Sequence, residues 1–215
     1  RFATAFSLLA ILAVLNFVKT FATNIEMWSF LMTSLLLAML SGIVAYQYDK
    51  QKCRLELLAT IDPLTGAYNR RAMESELKLA LEEFARKGTP MSVIMMDLDN
   101  FKFINDHYGH EKGDHVLASF AKLVMQNTRT NDRLFRYGGE EFLMLVNNGK
   151  VHEAEAIAEK IRITVQMSPQ SEMEHITVSI GVASIQQSES LDQWVARADA
   201  AMYRAKQLGK NRVES

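Results

Sequence analysis

The chain has 215 residues, with 24 lysines and arginines against 25 aspartates and glutamates and a pI near 6.6. A formal net charge of -1 excludes the broad basic field that holds nucleic acid, and a single cysteine, Cys53, excludes an intramolecular disulfide. What remains open is a protein of ordinary charge whose apolar residues are unevenly spread.

The unevenness lies at the start. Phe2 to Val18 is nearly continuous apolar sequence, interrupted by Thr4, Ser7 and Asn16, and Met27 to Tyr46 carries no charge. Each run approaches the roughly 20 residues with which a helix crosses a bilayer. Residues 1–46 are therefore expected to be a membrane region with two transmembrane helices, at about 2–18 and 27–46. A pair of buried core helices is the other reading, but the remainder of the chain is long enough to build a complete domain without them. A secretory signal fits poorly, because no small-residue cleavage pattern precedes Lys19 and a second run follows. Lys50, Lys52 and Arg54 follow the second run, against Lys19 and Glu26 between the two, so the positive-inside bias places the C-terminal part in the cytoplasm. Because the chain begins at Arg1, a missing upstream sensory part is expected.

Residues 47–61 read as a helical linker with Leu55, Leu58 and Ile61 at helical intervals, a stripe that suits a twin helix in a second chain or packing on its own domain. Residues 62–215 read as one domain. Asn69 to Lys87 is an amphipathic helix, with Met73, Leu77, Leu81 and Phe84 on one side and Gly88-Thr89-Pro90 as its stop. A strand over 91–98 follows, then helices over 101–108 and 114–127 separated by Gly109 and Gly113. Apolar runs at 134–137 and 142–146 flank Gly138-Gly139, which predicts a hairpin turn. A helix over 151–166, an alternating strand over 176–185 and a last helix over 191–208, stopped by Gly209, complete the order. That order is βαββαβ with a helix added at each end, an α/β (α+β) domain of ferredoxin-like type.

Two acidic stretches carry the chemistry. The strand at 91–98 ends in Asp97-Leu98-Asp99, and the hairpin presents Glu140 and Glu141 at its tip. Neighbouring carboxylates repel unless a cation or ligand relieves them, so a divalent ion shared by Asp97 and Glu140 is expected if the strand lies beside the hairpin. Acidic decoration of a solvated turn is the plainer reading.

In order, Asp62-Pro63-Leu64-Thr65-Gly66 with Asn69-Arg70-Arg71, then Asp97 to Asp106 with Gly109-His110-Glu111-Lys112-Gly113-Asp114, Gly138-Gly139-Glu140-Glu141-Phe142, and Ala198 to Lys206 with Gly209-Lys210-Asn211-Arg212 resemble the GGDEF domain of the diguanylate cyclase family. The resemblance runs from about 62 to 212. It implies a palm-type enzyme that joins two GTP into cyclic di-GMP with release of two pyrophosphates, as a homodimer holding one GTP per protomer. With the apolar start, it implies the inner (cytoplasmic) membrane of a bacterium, with the GGDEF domain in the cytoplasm.

The resemblance also assigns residues. Asp97, the Leu98 carbonyl and Glu140 would hold Mg2+ or Mn2+. Glu140 matches the family's proton acceptor, and Glu141 would hold a second ion or hydrogen-bond within the turn. Asn105 and Asp114 would pair with the guanine edge, with helix capping as the plainer role for each. His110 would lie near the base or pack structurally. Lys102, Arg136, Lys206 and Lys210 would face phosphates. Lys206 and Lys210 would share a face if the last helix persists, and Lys210 stands where arginine is often found. Arg129 and Asp132 resemble the family's inhibitory site for the product, or are plain surface charge. The other readings are a GGDEF module that binds GTP or cyclic di-GMP without turnover and signals through a partner, and a different palm-like nucleotidyl cyclase or polymerase.

Overall fold

A computed structural model describes residues 2–58, 60–147, 149–168 and 176–215, which form two units, 1–58 and 59–215. The first unit is one helix, α1, Phe2–Leu58. The two helices expected at 2–18 and 27–46 are thus parts of one, and no loop separates them. The residues between them contain neither glycine nor proline, and Thr20 and Thr23 turn their hydroxyls back onto the carbonyls of Asn16 (2.8 Å) and Lys19 (3.1 Å), as helical threonines do. At 57 residues the helix is about 85 Å long, far more than the ~30 Å of a bilayer's hydrocarbon. The stretch Ile11–Gln51 is long and apolar enough to cross a membrane, and its described side chains, among them Phe17, Trp28, Phe30 and Leu37, are exposed. The side chains of Lys52, Cys53, Arg54, Leu55 and Leu58 lie outside the described residues.

The second unit is built on a five-stranded sheet. Its elements are α2 (Arg70–Lys87), β1 (Ser92–Leu98), α3 (Phe101–Tyr108), α4 (His110–Asn127), β2 (Arg133–Gly138), β3 (Glu141–Val146), α5 (Val151–Gln166), β4 (Val178–Ser184), α6 (Leu191–Gln207) and β5 (Val213–Glu214). The strand order β2-β3-β1-β4-β5 carries the expected ferredoxin-like core, with every pair antiparallel except β4 and β5. The short β5 was not anticipated, because two residues carry no alternation to read.

β1 is buried along its whole length, and its side chains divide between two cores. Ile94, Met96 and Leu98 join Phe101, Val116, Phe120 and Ile161 on the face of α3, α4 and α5, while Val93 and Met95 join Met73, Leu77, Trp194 and Met202 on the face of α2 and α6. The same alternation sends Asp97 toward α6. There α6 crosses β4 so closely that a side chain on Gly181 would strike the backbone of Ala198 and Met202.

One helix boundary departs from expectation for a steric reason. Gly109, at φ +83°, separates α3 from α4, but Gly113 lies inside α4 and is buried. A side chain at Gly113 would strike Asn105 Oδ1, so this glycine lets the two helices meet rather than ending one. Asp114 is accordingly a residue within α4, and helix capping is removed as its role.

Candidate active site

The acidic turn is built one residue later than the glycine pair suggests. Gly138 pairs with Glu141 across the hairpin, leaving Gly139 and Glu140 as the two turn residues, and the ladder is irregular between Arg136 and Gly138. Only Glu140 is therefore at the tip; Glu141 opens β3, and its Cα partner on β1 is Asp97. The Glu140 carbonyl faces the Leu98 amide at 3.5 Å, a long contact that nevertheless sets the turn against the end of β1.

Arg136 holds this turn in shape. Its Nη2 and Nε donate to the Gly139 carbonyl at 2.9 and 3.2 Å, and its Nη1 reaches both oxygens of Asp62 at 3.3 Å. Asp62 in turn accepts from the Thr65 hydroxyl (2.6 Å) and amide (2.9 Å). Burial pushes the Asp62 carboxyl up, but the Thr65 bonds and the Arg136 guanidinium outweigh it and hold it below the usual range. The guanidinium fork of Arg136, expected at a phosphate, is thus engaged by the protein itself.

Asp97 is the buried acid of the site. Its carboxylate meets Lys206 Nζ at 2.7 Å, and its side chain is 8% exposed. Burial raises its pKa to about 6; Lys206 opposes that rise, and the nearby charges of Glu140 and Glu141 add to it. Two residues on, Asp99 is also buried but fully bonded. It accepts from the hydroxyls of Ser179 and Thr177, each at 2.6 Å, and from the Asn211 amide at 3.1 Å. Nothing in the sequence marks a role for Asp99 except the alternation of Thr177 and Ser179, which brings both hydroxyls to its side of the sheet.

The two C-terminal lysines do not share a helix face. The helix ends at Gln207, with Gly209 at φ +114° and amides of Gly209 and Lys210 closing onto the carbonyls of Lys206 (3.4 Å) and Ala205 (3.0 Å), a Schellman closure. Lys210 therefore lies in the loop, where its Nζ donates to Asn100 Oδ1 at 2.6 Å. Both lysines nevertheless arrive at the end of β1, Lys206 on Asp97 and Lys210 on Asn100.

At the α3–α4 corner, Asn105 lies against Gly113, the residue before Asp114 in α4. Lys102 in the first turn of α3 and His110 at the start of α4 are exposed. Arg129 and Asp132 are elsewhere. They precede β2, whose six residues, about 20 Å of strand, lie between them and the turn. Asp132 caps its own loop, accepting from the amides of Arg129 and Asn147 at 3.3 Å each, and burial raises its pKa against those bonds. Arg129 is exposed.

The donor set fits a hard divalent ion. Among the described residues no cluster of three or more metal-ligating side chains occurs; the site offers the Asp97 and Glu140 carboxylates and a main-chain carbonyl. Mg2+ commonly takes one or two carboxylates and completes its shell with phosphates and water, and extra positive charge would offset the Glu140 and Glu141 charges that act on Asp97.

Residues 59–212 match the profile of the diguanylate cyclase GGDEF domain. The chain belongs to the GGDEF family. It is 37% identical over 196 residues to diguanylate cyclase DgcM of Escherichia coli, covering 91% of this chain and 47% of that protein. It is also 40% identical over 162 residues to the response regulator PleD of Caulobacter vibrioides, covering 73% of this chain and 36% of PleD. The chain thus spans about half or less of the length of these curated relatives. Among solved structures, the GGDEF domain of DgcB from Caulobacter crescentus, in complex with cyclic di-GMP, superposes with a TM-score of 0.68 at 36% identity, over 73% of this chain and 95% of that one. The active GGEEF domain of a Vibrio cholerae diguanylate cyclase does so with a TM-score of 0.65 at 37% identity, over 68% and 95%.

Proposed function

We propose that this GGDEF chain is a diguanylate cyclase that condenses two GTP into cyclic di-GMP and two pyrophosphates, as a homodimer in which each protomer holds one GTP. The observation that carries this reading is the end of β1, where a buried carboxylate, Asp97, is set beside Glu140 and Glu141 with Lys206 upon it. Such an arrangement matches nucleotidyl transfer, in which positioning and charge neutralisation supply most of the rate.

Asp97, the Leu98 carbonyl and Glu140 would hold Mg2+ or Mn2+. When bound, the ion supplies neutralisation of phosphate charge. Glu140, at the turn, would take the proton of the attacking ribose 3′-hydroxyl, while Glu141 keeps the strand end acidic. Asn105 and Asp114 offer the amide and carboxylate that a guanine edge requires, and adenine would leave them unpaired. Lys102, exposed at the start of α3, and Lys206 and Lys210 at the end of β1 supply cations for the phosphates. His110 stands at the rim of the guanine corner. Arg129, with its guanidinium exposed, and Asp132 beside it form the product-binding site through which cyclic di-GMP would inhibit. The apolar helix α1 anchors the chain in the inner membrane, with the GGDEF domain on the cytoplasmic side.

The test is Glu140→Ala in the full chain with GTP and Mg2+. Loss of cyclic di-GMP formation, with GTP binding kept, is expected; wild-type turnover in that variant would remove the assignment.

A further inference from the structure

We propose that Asp99 is a positioning residue, a buried latch that sets Lys210 for the terminal phosphates of the nucleotide. The inference rests on the GTP reading above and adds to it a residue outside the metal, base and phosphate contacts. Asp99 is 3% exposed and has no cationic partner among the described residues; its buried oxygens are met instead by three hydrogen-bond donors. Two donors, Thr177 Oγ1 and Ser179 Oγ, come from the adjoining β4 segment. The third is the Asn211 amide, 112 residues away in the loop after α6.

That loop has unusual backbone. Gly209, Lys210 and Asn211 follow one another at φ +114°, +63° and +46°, a region that glycine and asparagine tolerate but that Lys210 keeps only where contacts hold it. Four contacts do so. Asp99 holds the Asn211 amide, Arg162 Nη1 donates to Asn211 Oδ1 at 3.0 Å, the Lys210 amide closes on Ala205, and the Arg212 carbonyl accepts from Ile180 at 3.0 Å. Of these, the Asp99 bond is the one that ties the loop's backbone to the corner between β1 and α3; the Lys210 side chain adds its own bond to Asn100 there. Asp99 also lies between the two residues that receive the lysines, Asp97 at 2.7 Å from Lys206 and Asn100 at 2.6 Å from Lys210. Asn100 itself has φ +59°, so both sides of the junction are held in left-handed backbone. Releasing Asp99 leaves both lysines and the guanine corner in the chain but frees the loop to relax and carry Lys210 away.

Asp99→Asn in the full chain tests this, because an amide cannot accept from all three donors and places its own N–H against one of them. The expected result is a KM for GTP raised about tenfold, as for one lost charge-assisted contact, with the Kd of GMP, which lacks the terminal phosphates, unchanged. Tryptic cleavage after Lys210, read by mass spectrometry, should also accelerate. Equal losses for GTP and GMP, or an unchanged cleavage rate after Lys210, would overturn the latch. If Asp99→Asn does not fold, Thr177→Val removes one of the three bonds; faster cleavage after Lys210 then supports the proposal and an unchanged rate overturns it. Should the unmodified chain bind neither GTP nor GMP, the cyclase reading falls, and the cleavage comparison still decides the latch.

Discussion

The two ends of the β2–β3 hairpin treat their carboxylates in opposite ways. At the turn end, Asp97 is buried with Lys206 as its partner, its pKa is raised to about 6, and two further acids stand near it. At the open end, Asp132 is consumed by two backbone amides and shapes its own loop. A carboxylate held close to a charge it would exchange for another is suited to chemistry; one satisfied by main-chain donors is suited to architecture. Arg129 and Arg136 invert the pattern, since the arginine near the turn is engaged with Gly139 and Asp62 while the one at the open end is exposed. The turn end thus holds a buried acid against a lysine with further acids near it, and the open end sets an exposed guanidinium near a carboxylate bound to main-chain amides.

Breaking the turn end should have the largest effect. Asp97→Asn is expected to reduce Mg2+-dependent cyclic di-GMP formation by about a hundredfold or more, in line with the loss of a ligand that also orients its surroundings, as measured by initial rates across a metal titration. Lys210→Ala is expected to be milder, raising the KM for GTP about tenfold with little change in kcat if the lysine binds phosphate alike in ground and transition states. At the open end, Arg129→Ala should leave the uninhibited rate unchanged and relieve product inhibition. A rate assay with added cyclic di-GMP reads both, and unaltered inhibition would move feedback away from this loop.

The smallest effect concerns pH. Because the Asp97 pKa is raised to about 6, the folded chain keeps a proton that the unfolded chain releases between the usual carboxylate value of about 4 and about 6. Stability contributed by that proton is present at low pH and is lost as pH rises through this window. A divalent ion favours the ionised carboxylate, so the rise in Tm on adding Mg2+ should be small at pH 5 and grow to a few degrees by pH 7. A Mg2+ effect independent of pH would place the ion away from Asp97.

Much of this was legible in the residues, for identifiable reasons. The βαββαβ order followed from helical stripes such as that of 69–87, the alternation of 176–185 and short apolar runs bounded by turn residues, and the acidic ends followed from carboxylates placed at the ends of those runs. The errors arose where a single glycine or a distant contact decides. Gly113 resembles a helix stop, yet it is a point of close approach to Asn105. The turn slipped by one residue because Gly138 pairs across the hairpin. The roles of Asp99 and Asn211 depend on bonds spanning 78 to 112 positions, which local pattern cannot reach. In α1, Lys19 and Glu26 suggested a loop, but charges without glycine or proline do not interrupt a helix.

The most direct test is the wild-type reaction. The full chain in detergent is incubated with GTP or ATP and Mg2+, and cyclic dinucleotide and pyrophosphate are followed by chromatography over a range of protein concentrations. The account predicts cyclic di-GMP from GTP alone, with a specific rate that climbs as protein concentration rises. Equal turnover of ATP, or no product from GTP even in protomers held together as a dimer, would contradict it.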